Sequence, residues 1–435
     1  MHHQLGRRAA CATIAAALVC SGWVGVAARP VAADATAFQA PVGPVPETGT
    51  LDTGWSGDGI STFPSRYSIA LGPYGARGLF TASYKVTDGN GPMRITKFDA
   101  AGAPVPGFGA NGFVLRAFEP GGKGISFPTH IVPVGLRETV VGEHYRSTAR
   151  LGVARLRSDG SYDRAFSGDG RALYKVFHLE HDIVSAFRVD VLTGGKIGLA
   201  VVALDYDRNG NLRLTGQSLM RLNANGTLDT TFSGDGRLPL SNDYSDVRFL
   251  PNGAVFVGRQ GTKSHEIRKI LPNGIFLDPS FSGDGIASAA CGPHRGANMG
   301  LDPAGRPVLM CVRETLPTLT LAIYRFTPSG AFDTTFSGNG KTNMVLTGVI
   351  DDTRIHFDRL GAPWAAIRTT EDDSAFRVYT LDSNGNPNPA WSDDGEATVT
   401  LPFGVELSGI AKAGTRLFVT THKDATNVAI VALRA

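Results

Sequence analysis

Cysteine is scarce in this chain, with 4 among 435 residues, and charged residues make up only 19% of it, below the usual quarter. No excess of either charge is left once the N-terminus is set aside. The full chain has 42 Lys+Arg against 39 Asp+Glu, and the surplus is Arg7, Arg8 and Arg29. A balanced surface gives no electrostatic reason to expect nucleic acid or an anionic membrane as partner. Nucleotide, haem and flavin motifs are missing, as is any long apolar run after Ala28. The chain past that point is therefore expected to carry no transmembrane anchor.

The one apolar run lies at the start. Met1–Arg8 is polar and basic, Ala9–Ala28 is small and apolar, and Val31-Ala32-Ala33 has the small-residue pattern of a cleavage site. This is the layout of a secretory signal peptide over 1–33, followed by a linker over 34–47. A secreted or periplasmic protein is expected. Cleavage would also remove Cys11 and Cys20, leaving Cys291 and Cys311. In an oxidising compartment that pair reads as a disulfide more readily than as a metal pair or a nucleophile. The alternative is two buried thiols, since Leu309-Met310-Cys311-Val312 reads as a buried strand.

Glycine, in contrast, is abundant, at 54 residues, and it is placed by a repeat. The segment Leu51-Asp52-Thr53-Gly54-Trp55-Ser56-Gly57-Asp58-Gly59 recurs at Tyr162 to Gly170, Leu228 to Gly236, Leu277 to Gly285 and Phe332 to Gly340. Weaker copies stand at Pro104 to Gly112 and Pro387 to Gly395. The anchoring aromatics, Trp55, Phe108, Phe166, Phe232, Phe281, Phe336 and Trp391, are 53, 58, 66, 49, 55 and 55 residues apart. A period in this range filled with short strands indicates a propeller or a solenoid.

The unit between Phe232 and Phe281 is the clearest. Apolar runs at Val247–Leu250, Ala254–Gly258 and Glu266–Leu271 are joined through Pro251-Asn252-Gly253, and Pro272-Asn273-Gly274 leads by way of the Asp/aromatic turn to Ile286–Ala289. Asn and Gly tolerate the positive φ of tight turns, so this is four strands, one propeller blade. The chain ends in what matches a third strand, Asn427–Ala435, and the missing turn and fourth strand are found at Gly49–Phe63. The sequence thus predicts an all-β, seven-bladed β-propeller over residues 48–435, with four-stranded antiparallel blades. An N-terminal strand completes the C-terminal blade and removes two sheet edges.

The pattern Asn/Asp-Gly-x-Leu-Asp-x-x-Phe-Ser-Gly-Asp-Gly, preceded by an aliphatic strand, resembles the bacterial delta-60 repeat, and it covers residues 48–435. Five copies are strong; those around Phe108 and Trp391 lack the Asp three residues before the aromatic. The resemblance implies a propeller-like secreted or surface protein and brings no activity with it.

Three sets of residues are candidates for function. Asp58, Asp169, Asp235 and Asp284 recur with Gly and read as turn chemistry, not as metal ligands. Asp205-Tyr206-Asp207-Arg208-Asn209-Gly210 fits the first half of a calcium loop, with Asp205, Asp207 and Asn209 as ligands, although Gly216 stands where an EF-hand has its bidentate Glu. Calcium and a polar hairpin tip are both compatible with it. Alignment of the units on their first turn places His130, Asp190, Arg248 and His356 at one position of the innermost strand. Polar residues there suit a ligand site at a channel mouth, or a solvated, internally paired lining.

The long irregular connections fall on one face, where function is expected. The expected role is a monomeric, non-catalytic module binding a glycan, peptide or protein. The rival is a calcium-dependent, lactonase-like propeller hydrolase, which would need three or more ligating side chains converging near the axis.

Overall fold

A computed structural model describes Gly49 to Ala435, apart from 65–69, 76–77, 85–90, 123, 135–136, 146–148, 262–263, 293–295, 316–317, 348–349, 359 and 425–426. The expected signal peptide and linker lie outside the described residues. Among the described residues twenty-eight strands form seven separate four-stranded sheets, and every strand pairing within them is antiparallel.

The innermost strands, in ring order, are Ala70–Tyr74, Ile125–Val134, Ile183–Val191, Tyr244–Phe249, Gly296–Leu301, Ile350–Phe357 and Leu407–Ala413. Each touches the next, and the last touches the first, which closes the ring. They begin blades one to seven. Blade three shows why the chain folds this way: Ile197–Tyr206 reads IGLAVVALDY, and its first eight residues are all buried. A near-continuous apolar strand belongs where both sheet faces are covered, here by the neighbouring blades.

Blade seven is a composite. Ile60–Pro64 pairs with Asn427–Arg434 in the register Ile60↔Val431 to Pro64↔Asn427, and Arg416–Asp424 and Leu407–Ala413 complete the sheet. The seam predicted from the sequence offset is therefore present.

The seven repeat aromatics are at most 2% exposed. Each plugs the space towards the following blade; the hairpin Gly226 of blade three sits on Phe166 of blade two. Gly226 has φ +86, and a Cβ there would come within 2.9 Å of the Phe166 ring. Gly226→Ala is expected to cost about 1–3 kcal/mol in denaturant unfolding. Gly57→Ala, at φ +85 with nothing within 4 Å, carries the backbone strain without the clash and should cost less.

The repeat Asp has two jobs. Its Oδ1 accepts the backbone N–H two residues on, as at Asp229 from Thr231 (3.2 Å) and Asp52 from Gly54 (3.0 Å). Its Oδ2 accepts from an arginine of its own blade: Arg155 to Asp163 at 2.8 Å, Arg221 to Asp229 at 2.6 Å and Arg325 to Asp333 at 2.8 Å. Each guanidinium lies over its blade's aromatic plug, 4.7 to 5.1 Å from the ring centroid. Its Nη1 reaches a carbonyl in the hairpin of a following blade, Ala224, Pro272 or Ser383. A second tie comes from the turn serines. Ser167 has φ 51, which aims its N–H at Asn225 O, 2.7 Å away in blade three, and Ser56, Ser233, Ser282 and Ser337 repeat this. Turn and plug thus join blade to blade on one face of the ring, and the arginine latch reinforces the joint in blades two, three and five.

The Asp-Gly acids serve the same face. Asp58, Asp169, Asp235 and Asp284 each accept the N–H two residues on, at 2.8 to 3.1 Å, at the start of a fourth strand. Cys291 and Cys311 form a disulfide, with Cα atoms 5.8 Å apart. Both are fully buried, so the bridge ties the connection into blade five to that blade's second strand, and the strand around Cys311 is buried as expected.

Candidate functional site

The innermost strands run from the long-loop face to the tight-turn face. Asp190, Arg248 and His356 are each one residue from the end of their strands, Ile183–Val191, Tyr244–Phe249 and Ile350–Phe357. The position aligned on the first turn therefore lies nearer the turn face than the loop-rich mouth, and His130 lies mid-strand. The side chains nearer the middle are Arg188, Asp246, Asp352 and Arg354, and they stand just past β-bulges at Ala186/Arg188, Tyr244/Asp246 and Ile350/Asp352. A bulge re-aims the side chains beside it.

The strands of blades two, three, four and six bring their charged groups into one electrostatic environment. Asp246 is 6% exposed. Its Oδ1 accepts Val247 N–H at 2.7 Å and Arg248 Nη1 at 2.9 Å, and its Oδ2 accepts Met299 N–H of blade five at 2.6 Å. Asp190 Oδ2 likewise accepts Phe249 N–H of blade four at 3.0 Å. These acids satisfy N–H groups of the next innermost strand, which has no further strand on its inner edge. In blade six Arg354 pairs with Asp352 and donates to Leu407 O of blade seven at 2.6 Å.

Withdrawal from water raises the Asp246 pKa to about 6 against the pull of Arg188, and raises Asp190 for the same reason. Desolvation, helped by the Arg188 charge, lowers His130 and His356 to about 4. Both imidazoles are thus neutral in the folded protein near neutral pH. Their contribution to stability is complete above the unfolded value near 6.5 and is lost as pH falls from there towards 4. Nitrogen-detected NMR at pH 5.5 should find both rings neutral; a protonated ring at that pH would contradict this environment.

The proposed calcium residues are on the loop-rich side of blade three. Asp205 accepts from His181 Nδ1 (2.9 Å), Asp182 N (2.8 Å) and Thr215 Oγ1 (2.8 Å). Asp207 accepts from Asn209 N and Asn211 N, both at 2.9 Å, and from Arg213 Nε at 2.8 Å. The two carboxylates share no partner. Among the described residues, no group of three or more His, Cys, Asp or Glu is placed to hold a metal ion.

The latch arginines are not marked by the Asp, Gly and aromatic positions of the repeat, whereas the same alignment of the units puts Arg188, Asp246 and Arg354 together, two residues upstream of Asp190, Arg248 and His356, without singling out Arg188. A signal for the latch was available. Arg155, Arg221 and Arg325 each stand eight residues before the Asp they bind, and where the Asp is missing, the equivalent residues are Lys97 and Thr380.

Seven antiparallel four-stranded blades in a ring, stitched by a repeated turn, define a β-propeller repeat protein. Residues 201–232 match a family model described as "Domain of unknown function (DUF5122) beta-propeller", a stretch that runs from the second strand of blade three to its aromatic plug. No curated protein matches the chain. Among solved structures, a protein of unknown function from Dyadobacter fermentans DSM 18053 is 10% identical with a TM-score of 0.44, over 71% of this chain and 94% of that one. Chaetomium thermophilum Sqt1, bound to the N-terminus of ribosomal protein L10, is 10% identical with a TM-score of 0.42, over 89% and 100%. The GH93 alpha-L-arabinofuranosidase of Fusarium graminearum, with arabinobiose, is 7% identical with a TM-score of 0.41, over 90% and 97%. Likeness at this level says nothing about what this chain does.

Proposed function

We propose that the protein is an exported, non-catalytic propeller that binds a glycan, peptide or protein through its loop-rich face. The observation that supports this is the unequal use of the two faces. The turn face repeats the same Asp, Ser and aromatic contacts from blade to blade, and those contacts are spent on holding the ring together. Among the described residues the loop-rich side differs between blades three, four and seven: His181, Asp205 and Thr215 in blade three, Asp243 with Arg259 (2.5 Å) in blade four, and in blade seven Glu406, whose backbone N–H donates to Thr421 Oγ1 (2.8 Å). Variable side chains on a rigid ring are the arrangement by which loops carry recognition. The acids near the axis are divided among separate Asp–Arg pairs and backbone N–H groups, so the binding reading is preferred to the hydrolase.

The test is a glycan, peptide and metabolite binding screen on the protein. A hit should weaken with Asp243→Ala or Glu406→Ala and be indifferent to Asn252→Ala on the turn face. A hit that responds to the turn face alone, or an empty screen, would count against the proposal.

A further inference from the structure

We propose that Arg188, midway along the innermost strand of blade three, is the anchor of a subsite for a single carboxylate group near the propeller axis. This rests on the binding-module reading and adds the chemistry of a ligand group to it. The argument starts from how the arginines of the ring are used. Arg155, Arg221 and Arg325 are each bound to an Asp at 2.6 to 2.8 Å and to a carbonyl. Arg248 is bound to Asp246 and to Val247 O, both at 2.9 Å, and Arg354 to Asp352, Thr353 O and Leu407 O. Arg188 differs from all of them. Its one ion pair among the described residues is from Nη2 to Asp246 at 3.5 Å, and Asp246 already accepts three shorter hydrogen bonds. Its Nε is buried with no hydrogen-bond partner among the described residues. A guanidinium has five donors, and no described residue accepts a short hydrogen bond from this one, so its Nη donors are left for a ligand.

The surroundings favour one kind of occupant. Arg188 is 29% exposed, so its outer end is open, and the two Nη groups there present the fork that a planar carboxylate accepts. Its charge is felt at His130 and Asp190, on the adjoining and the same blade, at Asp246 on blade four, and across the ring at His356 on blade six. His130 is spent on Thr129 Oγ1 (3.1 Å) and the backbone of Phe187. His356, at the equivalent position of the innermost strand of blade six, makes no hydrogen bond to a described residue, and its ring serves as the reporter of binding at the axis. Asp190 and Asp246 flank the arginine, so they repel a dianion such as phosphate more strongly than a single carboxylate, whose planar shape also matches the guanidinium fork. A carboxylate of this kind is carried by an acidic sugar or by a peptide C-terminus.

The experiment is a titration of the whole protein with glucuronate and with N-acetyl-diglycine, alongside glucose, N-acetyl-diglycinamide and inorganic phosphate, followed by the His356 ring resonances. The two carboxylates should shift those resonances saturably and the other three should not; which of the two binds more tightly identifies the source. Arg188→Gln should weaken binding at least about tenfold, the loss of one charge-assisted pair. The resonance shift in the unsubstituted protein keeps the test independent of how that variant folds. No shift with either carboxylate, equal binding of the neutral analogues, or affinity unchanged in Arg188→Gln would each overturn the subsite. A loop-face ligand found in the general screen would still stand in those cases, so failure of this inference is separable from failure of the binding-module reading.

Discussion

Arg416→Ala is expected to cost about 3–5 kcal/mol, the penalty for removing one partner of a buried ion pair, a large part of the 5–15 kcal/mol that typically holds a folded protein together. Arg416 is 1% exposed, and its Nε and Nη2 donate to Asp52 Oδ2 at 2.8 and 2.5 Å. Its Nη1 donates to Ala100 O at 2.6 Å, in the hairpin of blade one, and its guanidinium lies 5.4 Å from the Trp55 ring centroid. One side chain therefore ties together the C-terminal strands, the N-terminal turn and the first blade. The measurement is denaturant unfolding of Arg416→Ala beside Arg434→Ala. Arg434 reaches the same Asp52 at 3.7 Å from a side chain 37% exposed, and such a pair is worth under about 1 kcal/mol. Equal effects of the two substitutions would refute the central role of Arg416. The double substitution Arg416→Met/Asp52→Leu should recover most of the loss, because it leaves no unpaired charge behind.

That arginine also shows where the sequence stopped being legible. The aromatic period gave seven blades, and the offset of the chain ends gave the seam at Ile60–Pro64, because both are written in local residue order. In blades two, three and five the latch comes from the third strand, at Arg155, Arg221 and Arg325. In blade seven the third strand has Ala432 at that place, its carbonyl accepting Asp52 N–H at 2.8 Å as Arg221 O accepts Asp229 N–H at 2.9 Å. The guanidinium is supplied instead by Arg416 on the second strand. The charge stays in place while its position in the chain changes, and a repeat alignment cannot follow that.

The axial cluster was half legible for a related reason. Alignment on the first turn places polar residues on the innermost strands. It could not reveal the bulges beside Arg188, Asp246 and Asp352, which have no marker in residue type, nor that Asp190 and Asp246 are engaged by the backbone of the next blade. The aligned set accordingly fell towards the turn face, and the arginine with unspent donors lay two residues upstream of Asp190.

Removal of Gly49–Pro64 is the larger perturbation, and it is expected to abolish cooperative folding of the monomer. It takes away Trp55, which is fully buried; an aromatic of this size buries about 150–250 Å², about 4–6 kcal/mol at about 25 cal/mol per Å². It strands the Arg416 charge, at the cost given above, and the sum reaches the typical margin of stability. It also uncovers Asn427–Arg434, whose residues Val428 to Leu433 are all 0% exposed in the closed ring. An apolar strand with an unpaired edge is a template for pairing with another chain, so the shortened protein should elute as oligomers or precipitate. A peptide spanning 49–64, added in trans, should restore a monomer with a single unfolding transition, because it returns the strand, the plug and the counterion together. The same peptide with Trp55→Ala and Asp52→Asn supplies the strand pairing alone and should not. A shortened protein that remains a monomer and melts as the full chain does would show that the ring closes without its N-terminal strand.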